Sequence, residues 1–278
     1  VGNKVDVNEC DILEYFLGDP DTGVIGLYLE SFSDGRRFLD LCRRSGKPIV
    51  VLKGGRSRAG AEAALSHTAS LAGNQRIIAG ALAQVGVREA RDFKQMMDLC
   101  RSLALTKPAP GGSGRVAVLT LSGGAGIVAT DFVAEHGLTM AALSAATKNT
   151  LKRLFPKWMP VTNPVDLWPA MERQTSADVD VYSLSLEALL SDPEVDAVFL
   201  HVFISNPRSR LNLSELAARI RAAGKPIIVW IIGRRDDVYA FQKEALVHGI
   251  PVFTDISRAA ECLAAVLGER DRKSTRLN

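Results

Sequence analysis

The sequence predicts an α/β protein of two doubly wound parallel-sheet domains in tandem, the first incomplete at its N-terminus. Three observations predict it. Apolar runs of strand length alternate with helical segments, which calls for parallel strands joined by helical crossovers. One strand–helix–strand unit occurs twice. Asp19-Pro-Asp-Thr-Gly-Val-Ile-Gly-Leu-Tyr-Leu29 matches Asp192-Pro-Glu-Val-Asp-Ala-Val-Phe-Leu-His-Val202, and Gly46-Lys-Pro-Ile-Val-Val51 matches Gly224-Lys-Pro-Ile-Ile-Val229. Between the copies, Lys107-Pro-Ala-Pro-Gly-Gly-Ser-Gly114 has the composition of a linker. The expected domains are therefore 1–106 and 115–268, joined by 107–114, with a tail at 269–278.

Helical periodicity runs from Asp11 to Leu17 and stops at the turn Gly18-Asp-Pro20, before the apolar run Val24–Leu29. Asp34 caps a helix through Arg44, Gly46-Lys-Pro48 ends it, and a strand follows at Ile49–Leu52. A Gly/Ala/Ser-rich segment, Lys53 to Gly73, reads as a long loop, and helices follow at about 74–85 and 89–105. The first domain opens on a helix with no strand before it, so its sheet is expected to leave an exposed edge. Beyond the linker come strand Arg115–Leu121, a helix from about Gly124 to Glu135, strand Thr139–Leu143 and helix Thr147–Leu154. A Pro- and Trp-rich loop, Phe155–Pro169, leads to helix 179–190 and strand Ala197–Val202. Helix 212–222, strand Ile227–Ile232, helix 236–247, a short strand at 251–253 and helix 257–267 complete the domain. The tail Glu269–Asn278 is polar and aperiodic, and is expected to be disordered.

Composition narrows the function. The 278 residues are 47% hydrophobic and 23% charged with a net charge of +3, which gives no argument for nucleic acid or a membrane surface. No apolar run approaches the ~20 residues that span a bilayer, and Val1-Gly-Asn-Lys-Val-Asp6 lacks a signal-peptide core. Cys10, Cys42, Cys100 and Cys262 are widely spaced, so they read as reduced packing residues of a cytoplasmic protein, with no metal-ligand spacing.

Four features are candidates, and three of them sit beyond the carboxyl ends of strands, where open parallel sheets bind ligands. His67 lies among small residues, where backbone N–H groups such as those of Gly54 and Gly55 can approach an anion and an imidazole can carry a phosphoryl group. A mobile loop with a locally bonded histidine accounts for the same pattern. Only the first copy of the repeat carries this segment, which argues for a function. Glu30 follows its strand directly; it either fixes the tautomer of His67 or is a solvated strand end. Leu121-Ser-Gly-Gly-Ala-Gly-Ile127, with Gly123, Gly124 and Gly126, either holds an anion at a helix N-terminus or lets strand and helix pack closely. Ser205 and Asn206 stand before Pro207, where they bind phosphate or simply cap a helix. His136 and His248 each precede a glycine at a helix end, and His201 sits inside an apolar strand; all three read as structural.

The histidine segment resembles the NDP-forming acyl-CoA synthetases of the succinyl-CoA synthetase superfamily. The resemblance rests on Gly46-Lys-Pro-Ile-Val50 through Gly55-Arg-Ser57, and on Ser66-His-Thr68 with Leu71-Ala-Gly73. It extends through Gly2-Asn-Lys4, Arg115-Val-Ala-Val-Leu119, Gly123-Gly-Ala-Gly126 and Asn163-Pro-Val-Asp166, covering nearly the whole chain except the tail. It implies two flavodoxin-like ligase domains and the reaction of an acid, CoA and ATP to acyl-CoA, ADP and phosphate through a phosphohistidine. The match puts that histidine at His67 and its supporting glutamate at Glu30. It implies phosphate held between two helix N-termini, one following Ile204-Ser-Asn206 and the other in a Ser-Gly turn that normally precedes Gly2-Asn-Lys4. It also implies CoA and ATP/ADP with Mg²⁺, bound mainly by a CoA-binding Rossmann domain and an ATP-grasp domain or subunit not in this chain, a small carboxylic acid substrate, and an oligomer. Ala69 stands where the family commonly has glycine, a one-methyl change that leaves the histidine assignment intact.

A second reading is a noncatalytic acyl-CoA sensor or protein-acetyltransferase regulatory module, whose resemblance is similar but which tends to lose the histidine. His67 with Glu30 favours the ligase.

Overall fold

Ile49–Lys53 is apolar on both faces until its last residue, and every side chain in it is buried. That pattern belongs to the middle of a parallel sheet, and there it lies as β2. The computed structural model describes residues 4, 6–68, 74–106, 113–173, 180–204 and 211–275. It divides into two units, Val1–Ala104 and Leu105–Asn278.

In the first unit, β1 (Ile25–Leu29), β2 and β3 (Arg88–Ala90) form a parallel sheet in that order. β1 and β2 are level, from Ile25 against Ile49 to Leu29 against Lys53, and Gly54 N donates to Leu29 O at 2.9 Å. The residues that leave the two strands, Glu30 and Gly54, are thereby neighbours. Helix α1 (Glu9–Gly18) starts at a capping box of Asn8 and Asp11, and α2 (Gly35–Arg44) at Asp34, whose Oδ1 accepts from Arg37 N at 2.9 Å. Their apolar faces join Ile25, Leu29, Ile49, Val51 and Leu82 in one core.

Two readings of this half need correction. The segment around His67 is not a loop: α3 spans Arg58–Thr68. Ser57 starts it, with Oγ accepting from Gly60 N at 3.0 Å, and the alanines at 59, 61, 63 and 64 are the strongest helix formers. The helix expected at 89–105 is instead β3 followed by α5 (Phe93–Leu105), preceded by α4 (Gln75–Gln84).

The second unit runs β4 (Arg115–Thr120), α6 (Gly123–Glu135), β5 (Thr139–Met140), α7 (Ala145–Leu154), β6 (Val165–Asp166) and α8 (Trp168–Arg173). It continues with α9 (Val181–Ser191), β7 (Ala197–Phe203), α10 (Leu213–Ala223), β8 (Ile227–Ile232), α11 (Arg235–Val247), β9 (Val252–Phe253) and α12 (Ile256–Thr275). All pairings are parallel, in the order β5-β4-β7-β8-β9, with β6 also on β4. β5 pairs with the start of β4 and β6 with its end, so together they fill one position and the order is that of a flavodoxin-like sheet. Asn163 bridges the gap between them: its Oδ1 accepts from Val118 N at 2.9 Å, while Nδ2 donates to Val116 O at 2.8 Å and Ala141 O at 3.1 Å. The Pro- and Trp-rich stretch therefore holds a strand and the start of a helix. The tail also needs correction, because α12 continues through Thr275; Ala259, Ala260, Cys262, Leu263 and Val266 bury the helix before it, and its hydrogen-bond ladder carries on past the apolar stretch.

The sequence repeat has a physical basis. Lys47 Nζ donates to the carbonyls of Phe16, at 2.7 Å, and of Asp19, the C-cap of α1. Lys225 Nζ donates at 2.5 Å to the carbonyl of Asp192, the C-cap of α9. In each copy the lysine before the second strand caps the helix that precedes the first. The three strands of the first unit thus correspond to the last three of the second.

Candidate active site

Glu30 follows the last residue of β1 and is half-buried. Its Oε1 accepts from Tyr28 Oη at 3.1 Å, and burial together with this carboxylate pushes the Tyr28 phenol above its ordinary value. Gly54 faces it: a Cβ built there would lie 3.5 Å from Glu30 Cγ and 3.1 Å from Tyr28 Oη. Gly55 has φ +69°, the left-handed region that glycine enters freely, and it lies against Ala61 and Ala64 of α3. Here the small residues serve a close approach of loop and helix. The backbone of His67 lies in the last turn of α3; its side chain lies outside the described residues.

Beneath this pair is a group that sequence reasoning passed over. Lys53, 2% exposed, ends β2 with its Nζ donating to Glu30 O at 2.6 Å and to Gly54 O. Burial, and to a smaller extent the charge of Lys4, outweigh Glu30 and Glu89 and hold its pKa below the usual lysine value. Lys4 reaches Ser31 O at 2.5 Å and pairs with Glu9 at 2.8 Å; Glu9 in turn accepts from Ser33 N at 2.5 Å. Burial opposes ionisation of Glu9, but the Lys4 ammonium and the backbone donors hold its carboxyl low. The signal was available: a lone lysine closing an otherwise apolar strand has to find acceptors. A cleft of about 910 Å³ opens beside these strand ends, lined by Tyr28, Lys53, Gly54, Gly55, Arg56 and Phe93 among others.

In the second unit Ser122 caps α6, its Oγ accepting from Ala125 N at 3.4 Å. A Cβ at Gly126 would come within 3.0 Å of both Thr120 and Pro164, so close strand–helix packing accounts for that glycine. A Cβ at Gly123 would lie 3.1 Å from Asp166 Oδ2, which places a carboxylate of this chain beside the helix start; Gly124 meets only Ser122 Oγ, at 4.0 Å. Behind the turn, Thr120 Oγ1 accepts from Ser122 N at 3.1 Å and lies 3.0 Å from Nδ1 of buried His201. Ser205 and Asn206 lie outside the described residues. His136 and His248 are the C-caps of α6 and α11. Among the described residues, no group of three or more His, Cys, Asp or Glu could hold a metal ion, and no helix is long and apolar enough to cross a membrane.

Comparison with known proteins decides the family. The succinyl-CoA ligase-like flavodoxin domain matches residues 1–103, and the Ligase-CoA domain matches residues 116–276. The chain belongs to the NDP-forming acyl-CoA synthetase superfamily. It is 32% identical over 266 residues to acetate–CoA ligase [ADP-forming] II of Archaeoglobus fulgidus, covering 96% of this chain and 39% of that protein. It is 33% identical over 274 residues to the alpha subunit of acetate–CoA ligase [ADP-forming] II of Pyrococcus furiosus, covering 95% and 58%. A solved structure, the dinucleotide forming acetyl-coenzyme A synthetase 1 of Ca. Korarchaeum cryptofilum in complex with phosphate and ADP, superposes with a TM-score of 0.81 at 29% identity. That match covers all of this chain and 60% of the synthetase. Against these synthetases the chain spans about 39–60% of their length.

Proposed function

We propose that this chain is the phosphoryl-transfer portion of an ADP-forming acyl-CoA synthetase, with His67 as the phosphoryl carrier and Glu30 as its supporting carboxylate. One observation carries the reading: the segment bearing His67 leaves β2 directly beside Glu30, with Gly54 N bonded to Leu29 O. In the synthetic direction an imidazole nitrogen of His67 attacks the terminal phosphorus of ATP, forming a P–N bond as the P–O bond to ADP breaks. The carboxylate of the acid then takes the phosphoryl group and frees the imidazole. CoA thiolate attacks the acyl phosphate, forming the thioester and releasing inorganic phosphate. Glu30 accepts the N–H of the other imidazole nitrogen and so presents the attacking lone pair. In the first domain Gly54 and Gly55, and in the second Gly123, Gly124, Ser205 and Asn206, are the candidate phosphate contacts.

The described residues offer no metal seat, so Mg²⁺ would enter with the nucleotide and no step here is assigned to it. CoA, nucleotide and a small carboxylic acid are the substrates of this reading. A CoA-binding Rossmann domain and an ATP-grasp domain or subunit complete it, and residues 107–114 link the two ligase domains. The sensor reading is not favoured, because the relatives are named as ligases and the histidine is present.

The test uses the full-length protein with all its domains and terminally labelled ATP. An acid-labile, base-stable phosphoramidate mapping to His67 is expected. His67→Asn should abolish labelling and synthesis while the protein stays folded. Glu30→Gln should slow labelling by about 10²–10⁴-fold without moving its site. Label persisting in His67→Asn, or synthesis at the parent rate, would remove the assignment.

A further inference from the structure

We propose that Lys53 is a positioning residue for Glu30: its ammonium ties the exits of β1 and β2 together and so fixes where the Glu30 carboxylate can reach. The inference rests on the assignment of Glu30 above. Lys53 is the only charged residue of β2, and its stem is buried in a strand that otherwise carries Ile, Val, Val and Leu. A buried ammonium needs acceptors in good geometry. Those it finds are not carboxylates but the main-chain carbonyls of Glu30, at 2.6 Å, and Gly54. These are the first residues beyond the two strands, and the carbonyl of Ser31 is held in the same way by Lys4.

These bonds tie the backbone of Glu30 to that of Gly54 and oppose its displacement. Its stem meets Gly54 on one side, and its Oε1 takes the Tyr28 hydroxyl. The reach of the carboxylate is thereby set by its own side-chain torsions and by where the Lys53 bonds hold its backbone. An apolar residue of similar volume would fill the space of the Lys53 stem but leave both carbonyls without the cation. A packing role predicts that such a residue suffices, and a positioning role predicts that it does not.

The test is a double-mutant cycle on the full-length protein, reading the rate of phosphohistidine formation from ATP together with KM for ATP and thermal stability. Lys53→Met is expected to stay folded at the assay temperature but to melt several degrees below the parent, since two carbonyls lose their donor. It should nevertheless form phosphohistidine on the order of 10²-fold more slowly, the cost of misplacing a group by about 1 Å. KM for ATP should be unchanged. In the Glu30→Gln background the same substitution should add almost nothing, because residues that act as a unit are not additive. Parent-like rates in Lys53→Met, losses that multiply in the double variant, or a loss carried by KM would overturn the inference while leaving Glu30 in place. A parent-like rate in Glu30→Gln would instead sink the underlying assignment. If Lys53→Met does not fold, Lys53→Gln decides by the same cycle, since its amide donates to carbonyls without charge.

Discussion

His201 lies on β7 with its ring stacked on Trp230 at a centroid distance of 4.4 Å, and Tyr182 Oη donates to its carbonyl at 3.0 Å. Its Nε2 finds no partner among the described residues, and burial pushes the imidazole down to about 4 from its ordinary 6.5. The folded protein thus keeps His201 neutral where the unfolded chain takes up a proton. Stability from this source is whole above pH 6.5 and falls as the pH drops toward 4. The interval of about 2.5 pH units corresponds to roughly 3 kcal/mol at about 1.36 kcal/mol per unit. Denaturant unfolding at pH 7 and at pH 4.5 measures it. His201→Phe, which keeps an aromatic ring against Trp230, should lose about 1 kcal/mol at pH 7 with the Thr120 contact but decline much less on acidification. An equal decline in both proteins would show that the imidazole is not responsible. Asp192 and Asp196 act lower on the scale: burial opposes their ionisation, yet the hydrogen bonds they accept hold them below the usual carboxylate range. Their contribution is lost only as the pH falls through those depressed values.

At the level of elements, Asp196 and Asn163 carry more than their size suggests. Asp196 Oδ2 accepts from Ser113 N and Arg115 N, both at 2.9 Å, and Arg115 also reaches it through its guanidinium. Asn163→Ala would take the amide from Val118 N and Ala141 O, while Val116 O keeps its bond from Ala141 N at 2.8 Å. A loss of roughly 2–4 kcal/mol is expected from either Asn163→Ala or Asp196→Asn, read from chemical denaturation at neutral pH. A loss under 1 kcal/mol in Asn163→Ala would mean that water replaces the amide. The strand–helix alternation was legible because the long strands are unbroken apolar runs and their helices begin at Asp34 and Asn212. What escaped was short or compositionally ambiguous. β3 and β6 are three and two residues long, so neither shows a period of its own. α3 escaped because Gly, Ala and Ser serve loops and tightly packed helices alike, and only the contact of Gly55 with Ala61 and Ala64 distinguishes them. Glu30 could be read from its place after β1. The anchoring of its backbone by Lys53 could not, because that depends on the register of two strands.

For the whole chain, the two units differ in completeness. The second has a sheet in the flavodoxin-like order, covered by helices around a core that includes Leu119, Leu151, Phe155, Leu200 and Val229. The first has three strands and a smaller core. Residues 113–278 expressed alone should fold cooperatively, with a single thermal transition by circular dichroism. Residues 1–104 alone should melt lower and over a broader range. A broad, gradual transition in the larger piece would contradict the completeness of its sheet. The chain spans about 39–60% of the length of the relatives it matches.

Because the Asn163 amide occupies the place between β5 and β6, the ladder of β4 is indifferent to how much polypeptide is looped out before it. Lys157 and Trp158, the latter 75% exposed, lie on that excursion. Extra residues there leave every strand where it is. The position is a safe attachment site for a fluorophore, since a label there leaves the sheet undisturbed.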